Sequence, residues 1–159
     1  MQKKAKLLAY LDALGLNGRL NSFSDRIRIQ KLVYLLKQYD TDLQFGYNWY
    51  VHGPYSPQLT RTLFDPASDA SREQLGKTEM EYLNDVRNFL KEDMYSPDAL
   101  ELIVSLIYVA KNGETSGLGT KKAITEFILN EKPQFARAQV DEAWDRIASS
   151  PRFGKLLPR

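Results

Sequence analysis

Cysteine is absent from the 159 residues. That excludes disulfides, thiolate zinc sites and cysteine nucleophiles, and it is what a cytoplasmic protein is expected to show. Histidine occurs once, at His52, so a metal would have to take nearly all its other ligands from carboxylates, a poor set for zinc. No apolar run approaches the roughly 18 residues that a membrane-spanning helix needs. The first stretch, MQKKAKLLAYLDALG, starts basic, but Asp12 interrupts its apolar residues. It has neither the continuous apolar core nor the small-residue cleavage site of a signal peptide. Net charge is only +2, too little by itself to mark a nucleic-acid binder. There is no internal repeat and no low-complexity segment.

What remains is an ordinary globular composition, 43% hydrophobic and 26% charged, on a chain long enough for a sizeable core. Charge is unevenly spread. Residues 1–64 carry nine Lys/Arg against four Asp/Glu, whereas residues 65–103 carry four against ten. Such blocks are the solvated faces of helices or a bipolar surface that steers a partner.

Helical periodicity covers most of the chain. Leu7, Leu8, Leu11 and Leu14 space a first helix, with Gly15 as its stop. Ser24 is expected to cap a second, DRIRIQKLVYLLKQYD, with Asp25 favourably placed for the helix dipole. That helix is apolar nearly all round in its second half, the mark of a central, buried helix. Thr78 and Glu81 read as a capping box for EMEYLNDVRNFLKEDM. Ser96 and Pro97 open DALELIVSLIYVAKN, the most apolar run, and Gly113 closes it. TKKAITEFILNEK and ARAQVDEAWDRIASS are the last two amphipathic helices, and the tail PRFGKLLPR is expected to fray or dock at the surface. Residues 65–77 form a polar connection. The fold predicted over residues 1–159 is mainly α, a single-domain helical bundle with one short β segment at about residues 45–51.

The irregular part is YNWYVHGPYSPQLTRTL, residues 47–63, with four aromatics, the histidine and two prolines. LQFGYNWYV is rich in aromatics without helical period and reads as a strand. His52, Gly53 and Pro54 are expected to break it, Gly53 by its conformational freedom and Pro54 by restricting its neighbour. Ser56 then caps a short helix with Pro57 at its first position. Alternation along the strand puts Tyr47, Trp49 and Val51 on the core face. Tyr50, His52 and Tyr55 are left near the surface, with Gln58 and Arg61 turned the same way, a candidate protein-binding face of exposed tyrosine and arginine.

RIQKLVYLL, a short gap and then YNWYVHGPYSPQLTRTL resemble the Panacea-type (SocA-like) antitoxin domain, and more closely the YwgA-like bacterial and archaeal proteins. The matching positions are Gln30, Lys31, Leu32, Tyr34, Trp49, Gly53, Pro54, Pro57 and Leu59, with Ser56 in the hydroxyl slot. Ile29 stands where the family often has leucine, and GPYS replaces the GPV more usual in Panacea proper. The match covers about residues 26–64. The resemblance implies a small, helical, cytoplasmic protein that binds another protein, toxin-like or regulatory; that it catalyses nothing is expected instead from the single histidine, the absent cysteines and the lack of any paired constellation.

Chemistry elsewhere is sparse. As a general base His52 would need an oriented partner, for which Asp25, Asp40 and Asp42 are near in sequence; otherwise it hydrogen-bonds the turn. GETSGLG, residues 113–119, lacks the Lys-Ser/Thr of a phosphate-binding loop and reads as a glycine hinge with Thr120 capping the next helix. Nucleic-acid binding is the rival function, through Arg26, Arg28, Lys31, Lys37 and Arg61 in a winged-helix-like arrangement, though Asp25, Asp40 and Asp42 dilute that patch. No metal or cofactor is expected.

Overall fold

The periodic segments do fold as helices. A computed structural model describes residues 3–65 and 74–158. Among them are seven α-helices and one two-stranded sheet, a mainly α protein. The chain divides into two compact units, residues 1–97 and 98–159. The middle of the polar connection expected at 65–77 lies outside the described residues.

In the first unit, α1 spans Lys3–Leu14 and buries every side chain from Ala5 to Leu11. It closes on Gly15, whose φ of 73° is left-handed. Leu16 N–H donates to Leu11 C=O at 2.8 Å and Gly15 N–H to Asp12 C=O at 3.1 Å, the paired bonds of a Schellman stop. α2, Phe23–Lys37, is the buried centre of this unit. Its cap is Ser22, not Ser24: the Ser22 hydroxyl accepts from Asp25 N–H at 3.2 Å. The helix therefore begins two residues earlier than expected, because the hydroxyl must lie three residues ahead of the N–H it satisfies.

α3 covers Pro57–Phe64 and α4 covers Lys77–Leu90. The α4 box expected of Thr78 and Glu81 is not there. Gly76 is the cap, and its N–H donates to Glu79 Oε1 at 2.9 Å. α4 also stops short, at Leu90. Lys91 turns left-handed (φ 51°), and a 3-10 helix follows over Lys91–Tyr95. The Arg87 guanidinium donates to the Ala13 carbonyl, tying α4 to the end of α1.

Burying α1 all round also buries Lys6, which needs compensation. Its Nζ lies 2.9 Å from Asp40 Oδ2, 2.9 Å from Asp42 and 3.4 Å from Glu79. The Tyr10 hydroxyl donates to Asp40 at 2.7 Å. Burial opposes the Lys6 charge, but the bonds to Asp42 and Asp40 outweigh it and hold the ammonium pKa above its ordinary value. Burial, together with the bond to Asp40, raises that of Tyr10.

In the second unit α5, Pro97–Asn112, buries nine side chains, as its apolar run requires. α6, Lys121–Glu131, is capped by Thr120, which accepts from Ala123 N–H at 3.1 Å. α7, Arg137–Ser149, packs against α6 and against a 3-10 helix at Phe153–Leu156. Fully buried Phe153 docks the tail there. Lys132, at the end of α6, and Glu101, on α5, form a buried ion pair at 2.7 Å.

Candidate binding site

The short β segment is a hairpin rather than one strand. β1, Asn48–Tyr50, pairs antiparallel with β2, Gly53–Tyr55, in the register Asn48↔Tyr55, Trp49↔Pro54 and Tyr50↔Gly53. Gly53 and Pro54, expected to break the strand, open the returning one, and the turn is Val51 and His52. Gly53 follows that turn with φ 84°, the place where a left-handed glycine lets a hairpin close with a bulge. Pro54 is tolerated because each strand of a two-stranded ribbon is an edge, so its missing N–H need not leave a ladder bond unmade.

The hairpin is pinned to α2 by the residues of the motif. The Lys31 ammonium, 1% exposed, donates to Pro54 C=O at 2.6 Å. The Gln30 amide reads the Ser56 backbone from both sides: its Oε1 accepts from Ser56 N–H at 2.9 Å, and its Nε2 donates to Ser56 C=O at 3.0 Å. The same Nε2 reaches Thr60 Oγ1 at 3.0 Å, and that hydroxyl lies 2.6 Å from Tyr55 Oη. Tyr47 donates to Gln30 C=O at 2.7 Å and stacks edge-on against Tyr34. Burial, with Tyr34 beside it, pushes the Tyr47 phenol well above its usual pKa. Ser56 caps α3 as predicted, accepting from Leu59 N–H at 3.1 Å. Leu32 and Leu59 are fully buried and Tyr34 nearly so, Pro57 opens α3, and Trp49 is half-buried.

Held this way, the hairpin arches over the first turns of α2 and the inner face of α3 and leaves a pocket of about 380 Å³. Leu20, Phe23, Arg26 and Ile27 line one side, and Tyr50, Val51, His52 and Tyr55 the other, with Gln30 and Lys31 beneath. α3 supplies Thr60, Leu63 and Phe64, positions i, i+3 and i+4 of one helical face. His52 lies edge-on to Phe23, ring centres 5.4 Å apart, and Tyr50 edge-on to Tyr55 at 5.5 Å. Arg26 sits 5.8 Å from the Phe23 ring centre and donates to Leu20 C=O at 2.6 Å.

The structure thus brings together three of the five predicted contact residues, Tyr50, His52 and Tyr55, and separates the other two. Gln58 faces the chain before the hairpin, accepting from Gly46 N–H at 3.3 Å, and exposed Arg61 does not line the pocket. Val51 is not on a core face: it is 87% exposed, because strand alternation ends where the turn begins. Sequence reasoning missed Phe23, Ile27, Leu63 and Phe64. Phe23 and Phe64 belong to no motif in the sequence, and only their meeting across the hairpin gives them a role.

The alternative chemistry fares differently at each residue. The carboxylates near His52 in sequence are committed elsewhere: Asp25 to Arg19 and Arg28, and Asp40 and Asp42 to Lys6. Of the proposed cationic patch, Arg28 and Lys31 are buried, Arg28 donating to Met94 C=O at 2.9 Å. Lys37 lies over the Tyr47 ring. In 113–119 a 3-10 turn at Glu114–Ser116 leads to left-handed Gly117 and the Thr120 cap. No group of His and carboxylates suited to a metal occurs among the described residues, and none of their helices is long and apolar enough to cross a membrane. Comparison with family models, curated proteins and solved structures finds no match to this chain.

Proposed function

We propose that the chain is a protein-binding module whose first unit takes a segment of its partner between the hairpin and α2. One observation carries this: exposed bulky apolar side chains gather at a single place. Of the six among the described residues, Phe23, Tyr50, Val51 and Phe64 ring the pocket, leaving only Met80 and Tyr95 elsewhere. Such a patch is costly to leave in water and marks an interaction surface. A small ligand would fill the pocket and leave that rim exposed, whereas a chain lying across it covers both.

The resemblance to Panacea-type and YwgA-like proteins favours a toxin-like or regulatory partner and a cytoplasmic setting, with no catalytic step assigned to the chain. Nucleic acid is the weaker alternative, since burial removes two of the five cations it would use. Selection of random twelve-residue peptides on the immobilised protein tests the module. Enriched peptides should share a bulky apolar residue, should lose binding to Tyr50→Ala and Phe64→Ser, and should keep it to Arg61→Ala. Failure to enrich any sequence, or enriched binders indifferent to both pocket variants, would refute the proposal.

A further inference from the structure

Resting on that docking site, we propose that the segment it takes is acidic: a bulky apolar anchor flanked by carboxylates. The charged side chains lining the pocket are Arg26 and Lys31, both cationic, and no aspartate or glutamate among the described residues lines it. The two cations act at different depths. Lys31, 1% exposed, lines the floor and holds the hairpin through the Pro54 carbonyl. Arg26 is half-exposed at the rim, beside the Phe23 ring and the Leu20 carbonyl. An anchor seated among Phe23, Ile27, Tyr50 and Leu63 would bring its neighbouring residues over that guanidinium.

His52, at the tip of the hairpin, lies on the same rim. Residues 1–64, which supply the whole pocket, carry nine Lys/Arg against four Asp/Glu. Of those four acids, Asp25, Asp40 and Asp42 are paired with Arg or Lys within the unit. A partner bearing lysine or arginine beside its anchor would face this field unfavourably, and one bearing glutamate would be drawn to it and held in register.

Three fluorescein-labelled eight-residue peptides test this, alike in a central Leu-Phe anchor and carrying Glu, Gln or Lys on both flanks. By fluorescence anisotropy at low salt, the Glu peptide should bind about tenfold more tightly than the Lys peptide, with Gln between, the scale of a favourable charge pair set against a repulsive one. The spread should shrink as salt rises. Arg26→Gln should narrow it and Arg26→Lys should retain it, with melting temperatures confirming that both variants fold. Equal binding of all three peptides, weakened alike by Tyr50→Ala, would leave the docking site standing and overturn its acidic preference. No binding by any of them would overturn both. A concentration-dependent dimer in light scattering, abolished by Tyr50→Ala, would assign the pocket to a second copy of this chain and overturn the acidic segment as its occupant.

Discussion

Gln30→Met removes three hydrogen bonds at nearly constant volume, which makes it the sharpest probe of how the hairpin is held. In the native protein the Gln30 amide joins α2 to the start of α3 across 26 residues of chain. Ser56 is fully buried, so water cannot replace what is lost. Its N–H is left with no acceptor among the described residues once Oε1 is gone, and an orphaned buried donor costs about 1–3 kcal/mol. The other two losses are softened. Ser56 C=O keeps the Thr60 N–H at 3.3 Å, and Thr60 Oγ1 keeps Tyr55 Oη. Together they add about 1 kcal/mol, for a total of roughly 2–4 kcal/mol.

Urea unfolding followed by circular dichroism and tryptophan fluorescence measures it. Trp49 lies in the hairpin and Trp144 in the second unit, so the two tryptophans report on the site and on the second unit. With a slope of about 1–3 kcal/mol per molar for small proteins, the midpoint of the first unit should fall by about 1–2 M. Gln30→Met should also weaken peptide capture, because the hairpin forms one wall of the pocket. A loss below about 0.5 kcal/mol, the size expected of a surface position, would refute the claim that this amide anchors the site.

Other outcomes follow from the buried charges. Asp25 has its pKa lowered by the hydrogen bond from Arg19, and by that from Arg28, against the opposing effect of burial. Its contribution is therefore present above about pH 4, the ordinary carboxylate value, and lost as pH falls through the depressed one; Asp25→Asn should flatten the acid limb of a stability–pH curve. Lys6 and Tyr10 are both raised, so the stability they supply is complete below about pH 10 and is lost as pH climbs further. Tyr10→Phe should reduce that alkaline slope, and an unchanged slope would exclude the tyrosine. In the second unit, Lys132→Met removes the cation paired with buried Glu101 and should cost about 3–5 kcal/mol, with much of it recovered when Glu101→Gln is added. Ser105 Oγ is buried without a hydrogen-bond partner among the described residues, so Ser105→Ala should be neutral or slightly stabilising in thermal melts, where a loss above about 1 kcal/mol would reveal a bond to the hydroxyl.

The sequence by itself determined the helices, because their signals are local. Leucine spacing, the Gly15 stop, the Ser56–Pro57 start and the Thr120 cap each depend on residues within about one turn of one another, and each is where periodicity or capping chemistry puts it. Caps failed where several candidates stood close together, as with Ser22 against Ser24 and Gly76 against Thr78. Tertiary structure decided the rest. Lys6, Arg28 and Lys31 look like surface cations in the sequence, yet each is buried against a group 23 to 66 positions away: Lys6 with Asp40, Arg28 with the Met94 carbonyl, and Lys31 with the Pro54 carbonyl. Gly-Pro looks like a break, yet it becomes a strand once Trp49 pairs with Pro54. The pocket depends on the same kind of contact. Phe23, Tyr50 and Phe64 share no periodicity, and they meet only because Gln30 and Lys31 fold the hairpin back over α2. A side chain's burial, and so its part in a site, is set by which distant backbone closes over it, and no short window of residues contains that information.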